Sequence, residues 1–181
     1  MTQRCNVLVF GFGNPGRCDD GLGPAFVERV RASSDAPRAV VIETYSEYQL
    51  QVEDADLISR YDVVVFVDAS VSCADPFELT TVVPREDHSF TTHSVSPGAV
   101  LAMARGYFNA DDTQAFVLGI RGHEFDRFEE ALSEQAQSNL DAAVTWFEKQ
   151  IVRPVFDAET FDRAYGEMKD RVGCMHTPQP S

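Results

Sequence analysis

Cations are scarce in this chain: Lys and Arg together number 15 against 29 Asp and Glu in 181 residues, a formal net charge of -14. So negative a balance argues against nucleic acid and anionic membrane as partners, because both must be neutralised by positive charge. No apolar run approaches the roughly 20 residues needed to span a bilayer. Met1 to Cys5 lead straight into a strand pattern, which leaves no room for a signal peptide and points to the cytoplasm. Cysteine is sparse as well. Cys5, Cys18, Cys73 and Cys174 are scattered without a C-x-x-C pair, which disfavours a zinc knuckle and a secreted disulfide framework. The familiar catalytic signatures are missing: no G-x-S-x-G elbow, no H-E-x-x-H, no lysine-bearing phosphate loop. Internal repeats and low-complexity tracts are absent too.

What is present is core material, with 44% hydrophobic residues and 13 Phe in a length that suits one α/β domain. Short runs of Val, Ile and Phe alternate with helical patterns, the signature of a parallel sheet covered on both faces. Strands are predicted at 6–10, 39–44, 63–67, 77–83 and 115–120. The first helix starts near Leu22, with Pro24 in its first turn. A second, weaker helical pattern covers Glu47 to Ser59. Ser96-Pro97 caps and opens a third over 98–105. The run from Ser133 to Gln150 is a fourth, with Leu140, Ala143, Val144 and Phe147 as its inward stripe. The main domain is 1–154. Beyond it, 155–181 reads as an extension with a possible helix over 159–172 and a frayed end.

The most informative stretch joins the first strand to the first helix: Gly11-Phe12-Gly13-Asn14-Pro15-Gly16-Arg17-Cys18-Asp19-Asp20-Gly21-Leu22-Gly23. Glycines after a strand commonly cradle phosphate at a helix N-terminus. Here Asp19 and Asp20 occupy that place, where they repel a pyrophosphate and are themselves stabilised by the helix end. Asp20 is the better candidate for a cation ligand, and Asp19 for a residue that stabilises the turn or helix start. Asp68, directly after the central apolar strand, and His93, in the loop before Ser96-Pro97, carry the same ligand chemistry. Two carboxylates and an imidazole suit a borderline divalent cation with open coordination positions. Arg121, Gly122 and His123 follow the last strand and read as a charged surface turn, with peptide contact as the functional alternative.

The glycine turn, Val67-Asp68-Ala69 and His93 followed by Ser96-Pro97 together resemble the [NiFe] hydrogenase maturation endopeptidases. Ile120-Arg121-Gly122 and the Leu132-Ser133 helix start resemble the members that serve soluble NAD(P)-linked hydrogenases. The similarity spans about residues 5 to 150. It implies a three-layer α/β/α fold around a twisted, mostly parallel five-stranded sheet. It also implies a protease that removes a C-terminal extension from the nickel-loaded large-subunit precursor. Under that resemblance Asp20, Asp68 and His93 contact the metal, Asp20 or Asp68 serves as general base, and nickel arrives with the substrate instead of residing in the enzyme. Whether nickel polarises the scissile bond or is only recognised stays open. Two other readings compete. Gly11-x-Gly13-x-x-Gly16 with Glu43 formally matches a dinucleotide fingerprint, and the same ligands would serve a non-catalytic nickel chaperone.

Overall fold

Val63-Val64-Val65-Phe66-Val67 has no polar face to offer water, so it must lie where both sides are covered. The computed structural model, which describes residues 5–33, 40–85 and 95–151, places it at the centre of a five-stranded sheet. The strands are β1 (Cys5–Phe12), β2 (Val40–Glu47), β3 (Val63–Ser70), β4 (Phe77–Thr81) and β5 (Gln114–Arg121), in the spatial order β2-β1-β3-β5-β4. All neighbours pair in parallel except β4, which runs antiparallel to β5.

Alternation along each strand sorts the core into two halves. Val7, Val9, Val65 and Val67 point to the side of helices α1 (Leu22–Ala32) and α4 (Glu134–Ile151), meeting Leu22, Phe26, Leu140 and Phe147. Leu8, Phe10, Val64 and Phe66 point the other way, onto Ala55 and Ile58 of α2 (Asp54–Ile58) and Val100, Leu101 and Ala104 of α3 (Pro97–Phe108). The result is three layers, as the alternating pattern predicts. Phe26 and Phe147 meet edge to face at 5.4 Å, which locks α1 onto α4. Burial of each such ring is worth about 1.5–3 kcal/mol. Leu140, Ala143, Val144 and Phe147 are all buried, as their spacing requires. No helix among the described residues is long and apolar enough to cross a membrane.

Three elements depart from the sequence expectations. The helical segment over 47–59 shrinks to the five residues of α2: Glu47 stays in the sheet, paired with Phe12 of β1, and residues 48–53 turn before the helix begins at Asp54. The short helix is set by Asp54, whose carboxylate accepts the Gln51 N–H at 2.7 Å. β3 does not stop at Asp68: it continues to Ser70, because β5 supplies a partner as far as Arg121. α3 is longer than 98–105, ending only where Asn109 turns left-handed at φ 57. Ser96 caps it as expected, accepting the Ala99 N–H at 3.2 Å. The possible helix at 159–172 lies outside the described residues.

Candidate functional site

The site is built where β1 and β3 end side by side, under the start of α1. For α1 to reach this position its first turn must touch the sheet, and Gly23 permits it. A Cβ there would fall 2.3 Å from the Phe12 carbonyl oxygen and 2.5 Å from that of Val67. Gly11 and Gly13 serve the same close approach. Added Cβ atoms would lie 2.3 Å from the Gly23 oxygen and 2.1 Å from the Asp20 oxygen, and Gly13 has φ +135 besides. The glycines are therefore filled by the protein's own backbone, leaving no cradle for a pyrophosphate. Glu43 also fails the dinucleotide reading, since it lies mid-strand and accepts the Tyr61 hydroxyl at 2.8 Å.

Between β1 and α1 the chain makes a tight polar turn. The Asn14 side chain accepts the Gly16 N–H at 2.9 Å, and the Arg17 N–H returns to the Asn14 carbonyl. A single 3-10 turn, Cys18–Gly21, then aims two adjacent acids in different directions.

Asp19 points inward and is 0% exposed. Its carboxylate accepts the N–H groups of His123 (2.7 Å), Glu124 (2.8 Å) and Ser133 (2.7 Å) and the Ser133 hydroxyl (2.8 Å). Burial alone would raise its pKa, but these four bonds favour the charged form strongly enough to hold it below the usual carboxylate range. Asp19 is thus no cation ligand. Nor does it merely stabilise its own turn, because all four donors lie more than a hundred residues away.

Asp20 points to the lip. One carboxylate oxygen accepts the Asn14 N–H at 3.0 Å. Asp68, half-buried on β3, uses one oxygen on the Ala69 N–H at 2.8 Å. Its pKa is raised to about 6, chiefly by burial and further by the negative charge of Asp20, with the Ala69 N–H acting in the opposite sense. Each acid keeps one oxygen without a hydrogen-bond partner, and neither is paired with a cation, among the described residues. Two neighbouring acids with unused lone pairs could share a cation, and no group of three or more His, Cys, Asp or Glu among the described residues is placed to hold one.

His93 lies outside the described residues, in a segment flanked by Arg85 and Val95. Because β4 is antiparallel, it ends at the edge of the sheet opposite the two acids, with Thr81 beside Phe116 near the start of β5. Val82, just after β4, donates its N–H to the Ala115 carbonyl near the start of β5.

Arg121 to His123 are more than a charged turn. The Arg121 guanidinium donates to the Val71 carbonyl. Gly122 packs against Asp19, where an added Cβ would come within 2.9 Å of the Asp19 Cβ. His123 Nε2 lies 3.1 Å from Asp75 Oδ1, and the Asn139 amide donates to both Asp75 Oδ1 and the Arg121 carbonyl at 2.9 Å. Sequence reasoning missed Ser133, Asp75 and Asn139 as members of this region. Only Ser133 carried a local signal, as the residue before a helix, and its hydroxyl does accept the Ala136 N–H at 3.2 Å.

No protein-family model and no curated protein sequence matches the chain. Solved structures do. A [NiFe] hydrogenase maturation protease HycI from Thermococcus kodakarensis KOD1 superposes with a TM-score of 0.62 at 19% identity, over 83% of this chain and 94% of that one. The endopeptidase HybD from E. coli gives a TM-score of 0.58 at 20% identity, covering 78% and 89%. A hydrogenase 2 maturation peptidase from Thaumarchaeota archaeon SCGC_AB-539-E09 gives 0.56 at 24% identity, covering 80% and 96%. The chain has the fold of these proteins, over nearly their whole length.

Proposed function

We propose that this chain is an endopeptidase that removes the C-terminal extension from the nickel-loaded large-subunit precursor of a [NiFe] hydrogenase. The observation that carries the proposal is the pair Asp20 and Asp68, each with one oxygen that has no partner among the described residues, at one lip of a fold shared with named hydrogenase maturation proteases. The ordered motifs around these acids support the same reading, and Ile120-Arg121-Gly122 favours a soluble NAD(P)-linked hydrogenase as the one served. Such a protein works in the cytoplasm on the large-subunit precursor.

In this reading nickel is part of the substrate, and Asp20, Asp68 and His93 are its protein ligands. The incomplete donor set leaves positions for the precursor's own ligands, so only a loaded precursor completes the coordination sphere. Bound nickel would either polarise the scissile carbonyl or a water, with Asp20 or Asp68 taking a proton as general base, or serve only to recognise the loaded precursor while the three residues position the peptide. The glycine-packed turn holds Asp20 rigidly against β3, which fixes the spacing of the two carboxylates before substrate arrives.

Incubation with nickel-loaded and nickel-free precursor tests the proposal, with the length of the large subunit as the readout. Shortening of the loaded form alone is the expected result. Tight binding of free nickel with no cleavage of either form would instead make the protein a nickel chaperone.

A further inference from the structure

Asp19 is buried, charged and adjacent in sequence to a proposed ligand, yet it faces away from the lip. The segment that its carboxylate holds, 122–133, is an irregular connection between β5 and α4. It sits only at the lower limit, about 12 residues, beyond which connections without secondary structure of their own become uncommon. Backbone bonds join the same two segments from the other direction. Cys18 N–H donates to the Glu129 carbonyl at 2.9 Å and Asp19 N–H to the Glu124 carbonyl at 3.0 Å. With the four bonds to the Asp19 carboxylate, six hydrogen bonds link residues 18–19 to residues 123–133. Asp20 is the next residue in the chain, and its own N–H is tied back to the Arg17 carbonyl at 3.1 Å.

We propose that Asp19 is a positioning residue for the cation site: by gripping the 122–133 connection it fixes the 3-10 turn, and through that turn the direction of Asp20. The inference rests on the reading of Asp20 and Asp68 as cation ligands. It assigns Asp19 no contact with metal or substrate. A carboxylate suits the role better than an amide. His123 N–H, Glu124 N–H and the Ser133 hydroxyl all converge on a single oxygen, and the Ser133 N–H meets the other. In Asp19→Asn the amide NH2 faces donors on one side whichever way it turns, and the turn is released.

The test is calorimetric titration of the full chain with nickel or cadmium ion alone, for the unaltered protein, Asp19→Asn, Asp20→Asn and the double variant. Residues that orient a metal ligand from behind typically change affinity by 10–100-fold, so Asp19→Asn should weaken binding by about tenfold or more in a protein that is still folded by circular dichroism. The double variant should bind no more weakly than Asp20→Asn, because Asp19 acts only through Asp20. Unchanged affinity in folded Asp19→Asn, or losses that simply add, would overturn the positioning role and leave the cation site standing. If the unaltered protein binds neither ion alone, as an incomplete donor set allows, affinity for the nickel-loaded precursor becomes the readout for the same four proteins, and equal affinity of folded Asp19→Asn and the unaltered protein then overturns the inference. Should Asp19→Asn not fold, Ser133→Ala takes its place, since it deletes one donor of the four. Weaker binding then sustains the inference, and equal binding overturns it.

Discussion

Replacing Asp68 by asparagine should make this protein more stable while removing one of the proposed cation ligands. Burial and the charge of Asp20 lift the Asp68 pKa from 3.8 to about 6. The folded state therefore binds the proton more tightly than the unfolded chain does, and stability falls as pH rises from about 4 to about 6. Above that window both states are ionised and the full penalty applies. At 1.36 kcal/mol per pKa unit, the penalty is about 3 kcal/mol. Asparagine keeps an oxygen for the Ala69 N–H, fills the same volume and carries no charge. Allowing for burial of its own amide, the gain at pH 8 should be about 1–3 kcal/mol, or roughly 3–10 °C in Tm for a domain of this size.

Melting both proteins at pH 8 and pH 5 isolates the effect, because titrations elsewhere cancel in the difference. The advantage of the variant should shrink by about 1.4 kcal/mol at pH 5, where most of Asp68 is already protonated in the folded protein. Divalent cation should raise the Tm of the unaltered protein in proportion to occupancy and leave that of the variant nearly unchanged. A variant no more stable at pH 8, or equally favoured at both pH values, would refute the claim that Asp68 is held charged at a cost. That cost is what a binding site is expected to carry in the absence of its ligand.

Gly13→Ala should destabilise severely, by about 3 kcal/mol or more, since strain at positive φ adds to a 2.1 Å clash with the Asp20 carbonyl that no side-chain rotation relieves; chemical denaturation measures it. Gly16→Ala should change stability by less than about 1 kcal/mol, because its Cβ would meet only the Asn14 side chain, at 3.2 Å. The same assay with a large loss at Gly16 would contradict that geometry. Asn139→Ala should cost about 1–2 kcal/mol by stripping one donor from both Asp75 and the Arg121 carbonyl, with faster amide exchange around residue 122 as the local sign. Asp19, whose pKa is held low, contributes stability that is present above about pH 4 and is lost as pH falls further. Protection of the His123, Glu124 and Ser133 amides should therefore collapse in acid before that of Val65 and Phe66.

The parts of this molecule that could be read from its sequence are those whose causes are local. Five consecutive apolar residues at 63–67 can only be central, and Leu140, Ala143, Val144 and Phe147 can only face inward, so the central place of that strand and the α4 stripe followed from apolarity and periodicity. The Ser96 cap was legible for the same reason, since donor and acceptor are three residues apart. Where a distant partner decides, the local pattern misled. The helical pattern over 47–59 takes in Glu47, but pairing with Phe12 of β1 keeps that residue extended, and Asp68 reads as a strand end only until β5 is placed beside it. The antiparallel direction of β4 has no signature in Phe77 to Thr81 at all, and it moves the end of that strand to the other edge of the sheet. Asp19 shows the limit most clearly. Its chemistry excluded a phosphate and marked it as different from Asp20, but nothing within the turn announces His123, Glu124 or Ser133. A carboxylate that must be satisfied in the interior recruits whatever N–H groups the fold brings to it. Such contacts obey no period, and their donors are mostly backbone, which any residue type provides. Local chemistry therefore identified the acid that leaves an oxygen open at the lip, and only the folded chain identified what holds that acid in place.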